Sequence, residues 1–371
     1  MRSQRMFVVG KMFLSFVMVL AAAGHAGAAG ILDRVRVDFV PVLANDIAVD
    51  RTRGVLHATV PGSQGLPDGN SIVTIDPKSA RIVDSAFAGS EPNRIEVSAD
   101  GSQAYVGIDG ARSFRSWVPG SDDFGPLVPL ETRFDTSAIA EGFAIAPGRP
   151  NVVVVSQDEV GISSSGELGV FQNGASVSVG PRFPSANEIA FTDDHTLISF
   201  NNSSTGFDLI RWDLDPTSLA LSQSDSAGRL ISGFSTQIEV GDGRILGTDG
   251  LVVDPTTLSA LGTFMTRLSN AAVESVPEAG LTYFLGSTGR FGGETTLEVF
   301  DSERFILLET MGLGEFLGPI DSLERVGSQL AFRTADGEVG ILSGVVVPEP
   351  STALLMGLGL GLLGGRRRRA F

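Results

Sequence analysis

The sequence predicts an all-β fold: a seven-bladed β-propeller flanked by an N-terminal signal peptide and a short C-terminal transmembrane helix. Three observations predict it. A hairpin pattern recurs about every 47 residues, a second turn landmark falls between its copies, and 46 glycines serve a chain that is 42% hydrophobic. That composition suits a globular body with many tight turns rather than a disordered one. The chain has no cysteine, which excludes a disulfide framework, thiolate catalysis and cysteine-ligated zinc. It divides into residues 1–28, a signal peptide, residues 29–345, the propeller, and a C-terminal segment over 346–371.

The first element reads MRSQRMFVVGKMFLSFVMVLAAAGHAGAAG. Arg2, Arg5 and Lys11 form a basic segment, Met12 to Ala23 an apolar one, and Ala26-Gly27-Ala28 a small-residue cleavage site. Basic, apolar and small residues in that order are the grammar of a secretory signal peptide.

Seven hairpins follow. DIAVDRTRGVLHA turns at Gly54, RIEVSADGSQAYV at Gly101, GFAIAPGRPNVVVV at Gly148 and EIAFTDDHTLISF at Asp194. QIEVGDGRIL turns at Gly243, AVESVPEAGLTYF at Gly280 and SLERVGSQLAF at Gly327. The steps between successive turn residues are 47, 47, 46, 49, 37 and 47. Between them, TIDPKSARIV, DLDPTSLAL, VVDPTTLSAL and VFDSERFIL place an acid after an apolar run, at Asp76, Asp215, Asp254 and Asp301, and FQNGASVSV places Asn173-Gly174 there. Aspartate accepts backbone hydrogen bonds, proline presets φ, and Asn-Gly favours a two-residue hairpin. Each repeat therefore holds two hairpins, or four strands, and seven such units imply a seven-bladed ring whose blades bury one another. The 37-residue step leaves a six-bladed ring as the alternative. The last unit stops after EVGIL at Leu342, one strand short, and RVRVDFVPV (Arg34 to Val42) ahead of the first repeat supplies a strand to close it. Repeats such as NRIEVSADGSQAYV resemble those of YVTN-type propellers, related in style to WD40 propellers, without the WD40 tryptophan signature.

The chain finishes in VPEPSTALLMGLGLGLLGGRRRRAF. Ser351 to Gly365, the apolar helix segment 351–365, would extend about 22 Å as a helix, a marginal span against the ~20 residues a membrane asks for. The four arginines, Arg366, Arg367, Arg368 and Arg369, would stay on the cytoplasmic side by the positive-inside rule. Gly359, Gly361 and Gly364 match G-x-G-x-x-G, but no strand precedes them and no βαβ unit follows, so the dinucleotide reading fails. The G-x-x-x-G spacings Gly357/Gly361 and Gly361/Gly365 suit close helix approach.

Pro348-Glu349-Pro350, the apolar run and the arginine cluster, in that order, resemble the PEP-CTERM sorting signal of Gram-negative bacteria. The resemblance covers the last 24 or so residues. It implies an exosortase-type processing enzyme that recognises Pro348, Glu349 and Pro350, transient insertion of the C-terminal sorting helix in the inner membrane, and delivery to the cell surface or an exopolysaccharide matrix. Retention as a membrane-anchored periplasmic protein is the alternative. Two prolines hold the backbone extended, which suits a segment that a processing enzyme grips. Without the leader and the four tail arginines the chain keeps 20 basic residues against 43 acidic ones, Glu349 included, a formal net of −23. Such a body repels nucleic acid and anionic lipid.

Catalytic signatures are sparse. Beyond the leader the chain has two histidines, His57 and His195, in the first and fourth repeats, where exposed or half-buried positions after a turn are expected. G-x-S-x-G, H-E-x-x-H and EF-hand loops are absent from the sequence. One constellation stands out. Two residues before the aligned inner-strand positions Ile47, Ile95, Phe143, Ile189, Ile238, Val273 and Leu323 lie Asn45, Asn93, Glu141, Asn187, Thr236, Ala271 and Asp321. Six of these seven carry side-chain oxygen, and inner strands that start at one face would gather them around one mouth of the channel. Hard oxygen donors suit Ca²⁺, so Asn45, Asn93, Glu141, Asn187 and Asp321 are the candidate metal ligands. This is similar to lactonase-like propellers, which hold a central divalent ion with Glu, Asn and Asp. The expected function is a non-enzymatic binding or structural propeller with a glycan or protein ligand and no required cofactor. The alternative is a secreted hydrolase, lyase or lactonase with a divalent metal at the channel, with Glu141 and Asp321 as its ligands or acid–base groups.

Overall fold

A computed structural model describes residues 31–32, 35–131, 137–159, 167–180, 186–289, 293–314 and 317–345. The predicted signal peptide and C-terminal sorting segment lie outside them. Strand β1 (Arg36–Leu43) comes first. Blade one is β2 (Asp46–Asp50), β3 (Val55–Val60), β4 (Ser71–Asp76) and β5 (Arg81–Phe87). Blade two is β6 (Pro92–Val97), β7 (Ala104–Ile108), β8 (Ser113–Trp117) and β9 (Val128–Pro129). Blade three is β10 (Ala138–Ile145), β11 (Val152–Glu159), β12 (Glu167–Gln172) and β13 (Ala175–Val179). Blade four is β14 (Glu188–Phe191), β15 (Thr196–Phe200), β16 (Asp208–Leu214) and β17 (Leu221–Gly228). Blade five is β18 (Ile238–Gly241), β19 (Arg244–Gly247), β20 (Leu251–Asp254) and β21 (Ser259–Thr263). Blade six is β22 (Ser269–Val276), β23 (Leu281–Ser287), β24 (Thr295–Asp301) and β25 (Ile306–Gly312). Blade seven is β26 (Ile320–Val326), β27 (Gln329–Thr334) and β28 (Glu338–Ser343), completed by β1.

The ring is seven-bladed, all-β, and closed by a strand from the opposite end of the chain. β1 pairs antiparallel with β28 from Arg36↔Ser343 to Leu43↔Glu338. Blade five is the trimmed unit behind the 37-residue step, since its first three strands have four residues each. The predicted turns form for the predicted reason. The Asp76 carboxylate accepts the Lys78 N–H and the Ser79 hydroxyl, Asp215 accepts the Thr217 and Ser218 N–H groups, and Asp254 and Asp301 repeat the arrangement. These hydrogen bonds, led by the Ser79 hydroxyl at Asp76 and by backbone N–H at the other three, hold each carboxyl below its usual range.

Burial follows position within a blade. A middle strand is covered by both neighbouring blades and reads as a continuous apolar run; β23 is buried along its whole length. Outer strands such as β5 and β25 alternate toward solvent. The aligned positions Ile47, Ile95, Phe143, Val273 and Leu323 are buried in the clusters between adjacent blades. Inner strands all run from one face, where the long connections lie, to the face of the tight turns. We refer to these as the loop face and the turn face.

Candidate functional site

The channel follows from strand parity. Side chains one residue either side of the aligned positions share a face of the strand, and that face looks onto the axis. Asp46, Arg94, Glu188 and Gln237 precede the aligned residue, and Glu96, Glu239, Glu274 and Glu324 follow it. At the loop face the channel opens into a cavity of about 180 Å³ that Asp46, Arg94, Glu141, Asn187, Glu188 and Asp321 help to line. Toward the turn face it widens to about 490 Å³, where Arg51 joins it. Glu96, Glu188, Glu239 and Glu324 border both parts.

The predicted oxygen ring divides. Glu141, Asn187 and Asp321 reach the mouth. In blades three and seven a β-bulge falls at Glu141, between Ala140 and Gly142, and at Asp321, between Ile320 and Ser322. The extra residue turns a position that would otherwise face a neighbouring blade. Asn187 is tied to Asn202, donating from Nδ2 at 2.6 Å and accepting the Asn202 N–H at 3.1 Å. Asp321 is paired with Arg333. Asn45 and Asn93 are spent elsewhere: Asn45 Nδ2 donates to the Pro92 carbonyl at 2.8 Å and Asn93 Nδ2 to the Asp109 carboxylate at 2.8 Å. Asn45 stitches blade one to blade two, Asn93 ties β6 to the connection after β7 within blade two, and neither lines the mouth. Replacing either by alanine is expected to cost about 1 kcal/mol, read by urea unfolding, and to leave any calcium heat unchanged.

The channel carboxylates titrate abnormally. Burial pushes Glu96 up to about 8, assisted by the negative charges of Glu324 and Asp46. Burial and Glu324 push Glu274 up to about 8, and burial raises Glu324 itself to about 7. Burial also raises Glu239, with Glu274 and Glu324 adding repulsion. Arg51 faces all four. Burial works against its cation, but Glu324, Glu274, Glu239 and Glu96 outweigh it and hold the guanidinium charged. At the mouth, burial with Asp158 and Glu188 pushes Glu141 up to about 7, and burial raises Glu188. Arg94 stays charged there against its own burial, through Asp46, Glu188 and Glu141. The four glutamates are the channel feature missed by sequence reasoning. Their signal was present in RIEV, QIEV, AVES and SLER, where the same register position carries Glu.

The histidines stand apart from the channel. His57 is fully buried, not half-exposed as expected from its place after a turn. Its Nδ1 lies 3.1 Å from the Thr74 hydroxyl, and its ring meets Trp117 edge-on at 4.9 Å. Burial pushes it down to about 4, so it is neutral. His195 is exposed in the blade-four turn, bonded to Asp194 at 2.7 Å, which raises its pKa. Asp193 beside it accepts the His195 and Thr196 N–H groups, a turn-forming role.

Residues 346–369 match the family described as the PEP-CTERM protein-sorting motif. The C-terminus is a PEP-CTERM sorting motif. It implies export, sorting to the cell envelope or surface, and an exosortase as processing partner. The body is similar to solved WD40-like propellers. One is the Cps50 (Swd1) β-propeller domain of Myceliophteria thermophila, at 14% identity and TM-score 0.61, covering 84% of this chain and 99% of that one. Another is the WD40 β-propeller domain of Doa1, at 12% identity and TM-score 0.57, covering 82% and 95%. At such identity the likeness carries the fold alone. No curated protein sequence matches the chain. No helix among the described residues is long and apolar enough to cross a membrane.

Proposed function

We propose that the chain is an exported propeller, displayed at the cell surface or in an exopolysaccharide matrix, that binds a glycan or protein ligand through the loops of its loop face without catalysing a reaction. One observation carries this reading: the sorting motif is joined to a closed seven-bladed body. The mouth is consistent with it, since Asn187 and Asp321 are engaged by Asn202 and Arg333 and form a fixed polar rim that is not free for chemistry. Propellers often serve as platforms for binding, an analogy at the level of fold. The test is retention of the purified body on polysaccharide from its native host. Retention unchanged by Glu141→Gln plus Asp321→Asn, but lost on trimming the loop face, supports a binding module. No retention on polysaccharide or on envelope protein sinks it.

A second reading rests on Glu141. A carboxyl that titrates near neutrality in a cavity suits general acid–base work, and Glu141 with Asp321 offers oxygen ligands for Ca²⁺. Here the propeller is a hydrolase, lyase or lactonase. Calcium titration should then release heat, and Glu141→Gln should lower lactone turnover at least tenfold. A melting curve indifferent to both calcium and EDTA counts against the metal.

A further inference from the structure

Both ends of the folded body are pinned at one place. β28 runs from the loop face to the turn face and β1 runs back, so their free ends, Ser343 and Arg36, sit together at the turn face. Just beyond them, Leu32 is 1% exposed and Val345 is 6% exposed, in one cluster with Val276, Leu281 and Leu330 of blades six and seven. The Leu32 N–H donates to the Glu309 carboxylate of β25 at 3.1 Å, which fastens this corner to the outer strand of blade six. The sorting motif starts at the very next residue, 346.

The spacing sets a short leash. Val346 to Pro350 are five residues, which fully extended reach at most about 18 Å at roughly 3.6 Å each. Any enzyme that grips Pro348-Glu349-Pro350 must therefore work against the folded rim. That rim carries an apolar stretch at the turn-face end of β25: Ile306, Leu307 and Leu308 are 53%, 44% and 46% exposed. Asp76, Asp215, Asp254 and Asp301 mark the same face, so an anionic lipid surface is repelled and a protein partner fits better.

We propose that the turn-face rim of blades six and seven, through Ile306, Leu307 and Leu308, docks on the membrane enzyme that processes the tail, so that the loop-face mouth points away from the membrane until cleavage. This rests on the sorting reading above. It also places cleavage C-terminal to Val345, because Val345 is locked in the core.

The test follows the intact mass of the full chain over time in cells that carry the processing system. Ile306→Glu with Leu308→Glu should slow tail removal tenfold or more while the purified body melts within a few degrees of the unmodified one. Adding a Gly-Ser linker of about fifteen residues after Val345 should restore the rate, because the enzyme then reaches the motif without touching the rim. Val177→Glu with Val179→Glu, on the exposed outer strand of blade three, should process normally. Equal rates for rim variant and unmodified chain overturn the proposal, as does equal slowing by the blade-three pair or a defect that the linker fails to relieve. Binding of the tail-free body to phosphatidylglycerol vesicles through Ile306 and Leu308 also overturns it, in favour of lipid. If the unmodified chain never loses its tail, the sorting reading itself fails.

Discussion

Lowering the pH from about 8.5 to about 5.5 will raise the melting temperature of the body by on the order of 10 °C. The cause is the channel. Glu96 and Glu274 are pushed up to about 8, Glu324 and Glu141 to about 7, and Glu239 and Glu188 are raised. In the unfolded chain each would ionise near 4.3. Between these values the folded state holds protons that the unfolded state releases, so stability falls as pH rises through the folded pKa values. One unit is worth about 1.4 kcal/mol. The glutamates share one titration, so several kcal/mol is the scale for the set rather than for each.

His57 works in the other direction. Held down to about 4 by burial, it destabilises the fold as pH drops below the ordinary histidine value, by about 1.4 kcal/mol near pH 5.5. One histidine offsets only part of six glutamates. The turn aspartates, Asp76, Asp215, Asp254 and Asp301, are held low by their hydrogen bonds, so their contribution is lost only at still lower pH. The stability maximum should therefore lie on the mildly acid side of neutrality. Glu274→Gln should raise the melting temperature at pH 8.5 and flatten the pH profile. Arg51→Met, which removes the cation facing four carboxylates, should do more damage at pH 8.5 than at pH 5.5. A flat profile, or one that climbs with pH, would show that the channel carboxylates are solvated like surface acids.

Val40→Asp in β1 will destabilise the ring by about 4 kcal/mol or more, the cost of placing an unpaired carboxylate in a core. Val40 and Val42 are each 4% exposed and belong to the cluster between blades seven and one, with Val339, Ile341 and Leu56. Among the described residues β1 is also the only strand drawn from the other end of the chain to complete a blade, so losing it opens the circle rather than loosening one sheet. Val83→Ser, on an exposed outer strand, should change stability by less than about 0.5 kcal/mol. Urea unfolding read by tryptophan fluorescence separates the two. Equal midpoints for Val40→Asp and the unmodified body would mean that the ring stays closed without its latch.

Blade number and strand order were legible because they rest on local chemistry repeated seven times. Gly54, Gly101 and Gly148 take positive φ at their turns, where a side chain costs free energy. The aspartates before the outer hairpins bond the backbone two and three residues on. The origin of the closing strand was legible too, because RVRVDFVPV alternates like an edge strand and the last repeat lacks one.

The mouth was read only in part. Counting back two residues from each inner-strand anchor treats all seven strands as regular, whereas β6, β10, β22 and β26 each carry a register shift at that place. Asn45 took up the Pro92 carbonyl of blade two, and Asn93 the Asp109 carboxylate of its own blade. Glu141 and Asp321 line the mouth from bulges, and Asn187 lines it from just ahead of the regular strand β14, a difference that a fixed residue count does not carry. The glutamate ring was visible as letters, yet its meaning was not. IEV written in several repeats looks like ordinary strand alternation until closure points every such residue at one axis.

The sequence by itself determined the repeat, the turns, the closing strand and the sorting motif, since each depends on residues within one hairpin or one terminal segment. Only the tertiary structure decided which side chains meet across the channel, which titrate together, and that both ends of the body leave from one corner of the turn face. Those are consequences of bending seven local units into a circle, where distances between blades are fixed by closure and not by neighbours along the chain.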